Sequence, residues 1–367
     1  MELTFEKDDL LHSLQILQGV ASGRSTLPIL SNVLIQAADG KIECVATDLE
    51  IGIKIRVEGV IQEDGAITVS AKKLADVVKE LPTDKTIHLV TTANHRVEIT
   101  CGDGVYKIIG LSDEEFPQLP SIDGHSLTIE GETLRTVLRR TEFAASTDDV
   151  RYFLNGLYFS FFADRTEVVA TDFVQLALAR CESFNAPENV EGFIVPLKAV
   201  KEIGRTFAAS DKVQVSILEN QILFADENAT LTTRLVEGDY PKYQEVLPKS
   251  MEGSAVVAKE QLLHAARRVA LLSNPKSYCI SLEINSEQIQ VSTQAPELGE
   301  AHETLLVESC TGDIRFGIDA RLLVETLAHI ETESVAIEFT SEVKPITFKP
   351  TNTEGHICLV VPMRLEA

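Results

Sequence analysis

The chain has 367 residues, with 33 Lys or Arg against 56 Asp or Glu and a formal net charge of −23. At 44% hydrophobic and 24% charged it is globular rather than disordered material, and its length exceeds what one small core organises. It has no apolar run near the roughly 20 residues of a membrane helix and no leader pattern; its six dispersed Cys form no CxxC pair and point to reduced thiols in a cytosol, and its negative charge argues on its face against a phosphate-bearing partner.

The first third opens with an alternating stretch, Leu3-Thr4-Phe5, and a helical window over 7–18. A hairpin is expected at Ala38-Asp39-Gly40, and the run KIECVATD ends on Val45-Ala46-Thr47-Asp48. ITVSAKKLADVVKEL then passes from strand into a helix over 71–81, and alternation returns at Arg96-Val97-Glu98-Ile99-Thr100. A Pro-containing linker over 112–124 carries Phe116-Pro117. The second third repeats this order. It has a helical window over 131–143, Val169-Ala170-Thr171-Asp172, FIVPLKAVKEIGRTF with a helix over 197–207, a turn at Leu218-Glu219-Asn220 and Tyr240-Pro241 in a linker over 237–253. The last third has a helical window over 258–272, a turn at Ile284-Asn285-Ser286, the degenerate Val291-Ser292-Thr293-Gln294, and RFGIDARLLVETLAHI with a helix over 319–329.

The echoes are in register. The Val-Ala-Thr-Asp copies are 124 residues apart, the third follows after 122, and Phe116-Pro117 precedes Tyr240-Pro241 by 124. Lys72, Lys198 and Arg321 sit at equivalent places. This predicts a threefold internal repeat with domains 1–122, 123–249 and 250–367. Each is an α+β unit, an antiparallel sheet with two helices on one face.

Charge is not spread evenly within these units. The six helical windows carry 14 basic and 10 acidic residues, +4, while the remainder sums to −27. At 100° per residue, Lys72 and Lys79 lie opposite the Leu74/Val77/Val78/Leu81 stripe. Lys198, Lys201 and Arg205 lie opposite Val200/Ile203/Phe207, and Arg135 and Arg139 lie off Leu134/Val137/Leu138. Both a solvated helix face and an anion-facing surface fit this pattern.

Catalytic signatures are missing. There is no phosphate loop, dinucleotide fingerprint, HExxH or GxSxG, and the eight His lack metal-ligand spacing. Asp48 and Asp172 could be paired acids of an enzyme, but their equivalent places in separate repeats suit a turn or cap better. Neither a catalytic residue nor a metal or cofactor site is expected. An interaction scaffold without DNA is a further alternative, and it leaves the basic helix faces unexplained.

The chain resembles the bacterial DNA sliding clamps, the beta subunits of the replicative DNA polymerase III. The resemblance runs along its whole length. It rests on Thr26-Leu27-Pro28-Ile29-Leu30, Ala46-Thr47-Asp48-Leu49-Glu50, Asp149-Val150-Arg151-Tyr152-Phe153-Leu154-Asn155-Gly156, Val169-Ala170-Thr171-Asp172, Leu271-Leu272-Ser273-Asn274 and Val361-Pro362-Met363-Arg364-Leu365. It implies a non-catalytic, cytoplasmic, nucleoid-associated processivity factor. Two three-domain chains would join head to tail in a closed ring, helices inside and sheets outside, around double-stranded DNA of any sequence. The basic helix faces, with Arg24 and Arg151, would then look toward the duplex. A cleft between the middle and last domains would take short linear motifs of the polymerase, the ATP-dependent clamp loader and repair factors. The matching positions are Arg151, Leu154, Thr171, Leu176, Pro241, Val246, Val343, Pro345, Leu359, Val361, Pro362, Met363 and Arg364. The dimer seam would use Tyr106, Ile108, Leu271 and Leu272, with Lys73 facing Glu297, Glu300 and Glu303. Three departures bear on this. Phe173-Val174-Gln175 replaces the usual Gly-His-Arg, Asp148 is acidic near the expected DNA, and Glu366-Ala367 extends past the usual terminal Leu.

Overall fold

The computed structural model describes residues 1–21, 27–120, 126–184 and 192–365. Arg24, the Glu366-Ala367 extension and the first predicted domain boundary lie outside the described residues. Six α-helices occur among the described residues: α1 (Lys7–Val20), α2 (Ala71–Glu80), α3 (Gly131–Arg139), α4 (Leu197–Thr206), α5 (Lys259–Ala270) and α6 (Ala320–Ala328). Three features end or start them as the sequence chemistry directs. The Ser70 hydroxyl accepts from Lys73 N at the start of α2 (3.4 Å), and Asp319 accepts from Arg321 N at the start of α6 (2.9 Å). α3 stops short of the predicted 143: Thr141 N closes a tighter turn on Leu138 O (3.1 Å), and a separate 3-10 turn follows at Glu142–Ala144.

By its internal contacts the chain divides into two units, Met1–Leu134 with Lys198–Leu235, and Arg135–Leu197 with Val236–Ala367. The middle repeat is thus shared between them. The first unit holds a thirteen-stranded antiparallel sheet in which strand Ala229–Arg234 pairs with Ile51–Arg56, Thr232 opposite Gly52. The second holds a nine-stranded sheet in which His356–Val360 pairs with Gln175–Glu182, Leu359 opposite Leu176. It also holds a four-stranded sheet ending on Gly299–Leu306.

The expected hairpin at Asp39-Gly40 forms with both residues at positive φ, 52° and 72°, the backbone a two-residue turn with right-handed strand twist requires. Helix facing follows the sequence stripe. α2 buries Ala71, Leu74, Ala75 and Val78 and exposes Lys72 and Lys79, while α4 buries Ala199, Val200 and Ile203 and exposes Lys198, Lys201 and Arg205. α4 also buries Glu202, which the stripe did not predict.

The two Thr-Asp pairs build one turn twice. The Thr47 hydroxyl donates to Ile51 O (2.9 Å) and accepts from Leu49 N (3.0 Å), while Asp48 Oδ1 accepts from Glu50 N (3.0 Å) and Ile51 N (2.7 Å). Thr171 and Asp172 repeat this with Gln175 O (2.6 Å), Phe173 N (3.1 Å), Val174 N (2.9 Å) and Gln175 N (2.8 Å). These bonds hold Leu49 and Phe173 at φ 78° and 77°, a left-handed backbone that costs a non-Gly residue about 1–2 kcal/mol. Each carboxylate is therefore bound into its own turn, the structural role favoured above over paired acids. The third copy has diverged, and Thr293 bonds instead to Cys279 O (3.1 Å).

Candidate functional site

In the second unit, the pairing of Leu176 with Leu359 brings two predicted cleft residues together. They join Val169, Leu178 and Tyr243 in one buried cluster, against which Tyr158, Tyr240, Leu247 and Ile357 pack. Tyr158 and Tyr240 stack with centroids 4.9 Å apart. Pro241 and Val246 bracket the 3-10 turn that inserts Tyr243. Tyr243 N donates to Pro241 O (2.7 Å) and Val246 N to Tyr243 O (3.1 Å). The C-terminal run is tied down at both ends, Val361 N to Val174 O (2.9 Å) and Met363 N to Gly317 O (2.8 Å). Thr171 acts as a turn anchor beside the cluster.

The other predicted cleft positions stand outside this cluster. Leu154 is fully buried, Pro345, Pro362 and Met363 are half-buried, and Val343 and Arg364 are exposed, as are Val246 and Val361. Phe173 and Val174 are half exposed, and the Arg151 guanidinium lies over the Phe173 ring, 5.2 Å from its centroid. The departure from Gly-His-Arg has thus put an aromatic platform under Arg151, an arrangement worth about 0.5–1 kcal/mol at an exposed site.

Beneath the cluster is a charge that sequence reasoning missed. Glu167 is 2% exposed and accepts from Tyr243 Oη (2.6 Å), Arg165 Nε (2.9 Å) and Arg180 Nε (2.8 Å). Burial pushes its carboxyl up, but the bonds from Tyr243, Arg165 and Arg180 outweigh burial and hold it below the ordinary carboxylate range. The Tyr243 hydroxyl is driven well above the usual phenol value by burial and by Glu167. The available signal was an acid inside the apolar run TEVVATD.

The predicted DNA-facing cations have varied surroundings. Lys72, Lys79 and Lys201 are exposed and form no side-chain ion pair among the described residues. Lys198 donates to Asp48 Oδ2, and Arg205 to Glu202 Oε1 at 3.0 Å. Arg139 Nε donates to Glu331 Oε1 (2.9 Å), with Arg140 on the other oxygen (2.7 Å). Arg151 is 3.6 Å from Asp148. Arg135 is half-buried.

Two strand edges stand out. Gly104–Leu111 pairs along its length with Arg96–Cys101, but on its other side only Gly110 and Leu111 pair, so residues 104–109 present a free edge among the described residues. Tyr106 and Ile109 are exposed there, and Ile108 is half-buried. In the second unit, Gly299–Leu306 is an end strand, with Glu300 exposed on it, Glu297 just before it, and Leu271 and Leu272 at the end of α5. Glu303 is held within the chain by a bidentate pair from Arg268 (2.7 and 2.6 Å), so it is not a free partner for Lys73.

Three family profiles match in tandem: the DNA polymerase III beta subunit N-terminal domain over residues 1–120, its central domain over 128–242 and its C-terminal domain over 244–364. The beta sliding clamps of Pseudomonas aeruginosa and Escherichia coli K12 are each 31% identical over all of both chains. A solved sliding clamp from Bartonella birtlesii, bound to griselimycin, superposes with a TM-score of 0.94 at 29% identity, again over all of both chains. With this likeness over its full length, the chain belongs to the DNA polymerase III beta subunit family, the bacterial beta sliding clamps.

Proposed function

We propose that this processivity factor works as half of a closed ring, two copies joined head to tail around double-stranded DNA. The observation that carries the reading is the pattern of strand edges. Each repeat offers a strand after its Thr-containing turn (Ile51–Arg56, Gln175–Glu182, Gly299–Leu306) and a last strand (Gly104–Leu111, Ala229–Arg234, His356–Val360). Inside the chain, the last strand of one repeat pairs with the post-turn strand of the repeat before it, twice. The last strand of the first repeat and the post-turn strand of the third are left over. A second copy supplies each with its missing partner, and the heterologous contact closes if it rotates as the internal ones do.

The internal seams also supply the register. Gly52, Leu176 and Ala301 each sit opposite their repeat's turn Thr. Their seam partners, Thr232 and Leu359, lie three residues into their strands, a step that from Gly104 reaches Lys107. Lys107 therefore pairs with Ala301, Tyr106 with His302 and Ile108 with Glu300 of the second copy. In this ring the three repeats are the domains, Lys72, Lys79, Lys198, Lys201 and the arginines of α3 and α4 look toward DNA, and the cleft beside the buried Leu176/Leu359/Tyr243 cluster takes short apolar motifs of the polymerase, the clamp loader and repair factors. The site of action is the cytoplasm, on the nucleoid.

Two measurements test this. Light scattering should give a mass near twice 40.3 kDa. The loaded protein should stay on a nicked circle when loader ATPase and ATP are supplied, and leave once the circle is cut. Equal retention on both forms overturns the topological mechanism.

A further inference from the structure

Four of the proposed DNA-facing cations are each paired with an acid of the same chain. Asp48 holds Lys198, Glu202 holds Arg205, Glu331 holds Arg139, and Asp148 lies beside Arg151. Two of these pairs are local, Glu202 with Arg205 and Asp148 with Arg151 three residues apart, and two join distant segments, Asp48 with Lys198 and Glu331 with Arg139. Asp48 serves twice. Its Oδ1 caps the turn through Glu50 N and Ile51 N, while Oδ2 takes Lys198. In the second repeat the equivalent Asp172 uses Oδ1 the same way, but its Oδ2 takes Gln175 Nε2 at 3.3 Å. The capture of Lys198 is thus separable from the turn.

We propose that these built-in carboxylates compete with DNA phosphate for the cations and set how loosely the ring holds the duplex. This rests on the DNA-facing reading above. Each cation is exposed, although Asp48 and Glu202 are largely buried, so a phosphate can reach the cation and displace the carboxylate, but each displacement forfeits the intramolecular contact. A ring that must translate along DNA gains from such exchange. A cation leaving one phosphate returns to its own acid instead of hanging unpaired, and the difference between bound and unbound positions shrinks. Lys72, Lys79 and Lys201 supply attraction, while Lys198, Arg205 and Arg139 supply contacts that are readily given up.

Asp48→Asn tests this with little disturbance of the fold. Its Oδ1 still accepts from Glu50 N and Ile51 N, while its Oδ2 becomes an amide that cannot hold Lys198. Glu331→Ala removes both oxygens and frees Arg139. The full-length protein is titrated onto a short primed duplex by fluorescence anisotropy at several salt concentrations. Each freed cation that gains a phosphate steepens the slope of log K against log salt by about 0.9, so the double variant should steepen it by about 1.8. Lys198→Ala added to Asp48→Asn should cancel that variant's share. A triple Lys72→Ala, Lys79→Ala, Lys201→Ala variant separates the two layers of argument. If it flattens the slope while Asp48→Asn and Glu331→Ala leave it unchanged, the competition is overturned and the DNA-facing surface stands. If it leaves the slope unchanged, the DNA-facing reading fails and the competition with it.

Discussion

Tyr243→Phe removes one oxygen from beneath the cleft and leaves the shape of the apolar cluster unchanged. The lost bond is 2.6 Å long and is made to a carboxylate 2% exposed. Bonds to charged groups contribute about 1.5–3 kcal/mol. Arg165 and Arg180 still hold Glu167 from the side of Oε1, so a loss of about 2 kcal/mol is expected, or about 4–8 °C in Tm for a unit of this size. The pH dependence has a definite sign. The folded pKa of Glu167 lies below its ordinary value of 4.5. Its stabilisation is therefore fully present above that value and is lost as pH falls through the folded value. The gap between parent and variant should be full near pH 7 and shrink on acidification below the ordinary carboxylate range. Urea unfolding followed across that range measures it. A gap under about 0.5 kcal/mol at neutral pH, where unremarkable surface changes fall, or one that widens in acid, refutes the account of Glu167.

Three other variants probe different parts of the molecule. Met363→Ala with Arg364→Ala should weaken binding of a polymerase-derived peptide about ten-fold or more, as truncating interface anchors does, without changing the dimer's mass; an unaltered titration removes these two residues from the cleft. Lys107→Cys with Ala301→Cys should oxidise to a covalent ring, because directly opposed antiparallel residues are about 4.5–5.5 Å apart at Cα, within disulfide range. Linkage in a pair displaced by two residues, and not in this one, contradicts the register. Glu202 is buried with Oε2 unpartnered among the described residues, and burial raises its carboxyl above the ordinary 4.5. A raised folded pKa gives stability that is present below the ordinary value and lost as pH rises through the folded one. Glu202→Gln should therefore be more stable than the parent at neutral pH, by about 1 kcal/mol, with the difference closing near the ordinary carboxylate value. Denaturant midpoints at both pH values check this, and a less stable variant at neutral pH would contradict it.

Much of the local structure could be read from residue order because it is enforced locally. The Lys72 and Lys198 faces follow from a 3.6-residue period, the Asp39-Gly40 hairpin from two residues that tolerate positive φ, and the Thr-Asp turn from side chains that bond within four residues. What joins the repeats was not readable that way. Thr232 and Gly52 are 180 residues apart, and neither strand's alternation says which edge it will meet. The proposed cleft role of Leu176 and Leu359 has no local mark in the sequence. They are 4% and 3% exposed, and only the family resemblance separated them from ordinary core. Glu167 and Glu202 were missed for the opposite reason. The default places acids in water, whereas Glu167 is held inside by partners brought from elsewhere, Tyr243 and Arg180, and Glu202 by Arg205 one turn further along α4.

The outer edges of the proposed ring differ from the inner ones in a way their situation requires. The inner post-turn strand Gln175–Glu182 presents Leu176, Ala177, Leu178 and Ala179 to a partner in the same chain, all buried. The equivalent outer strand reads Gly299-Glu300-Ala301-His302-Glu303-Thr304, and the other outer edge carries Lys107, exposed like Lys73 on α2. A free edge must stay soluble until its partner arrives, and charge is the usual protection. In the proposed ring the charges also choose the partner. Two copies meeting through the same post-turn edge would set Glu300 and Glu303 against themselves, and two meeting through the last strand would set Lys107 against Lys107. Only the unlike pairing places lysine on one side and glutamate on the other. Arg268 moderates this by holding Glu303, which leaves Glu297 and Glu300 as the exposed acids for Lys73. The acidic balance of the chain, which at first argued against DNA, in this arrangement helps decide how two copies close around it.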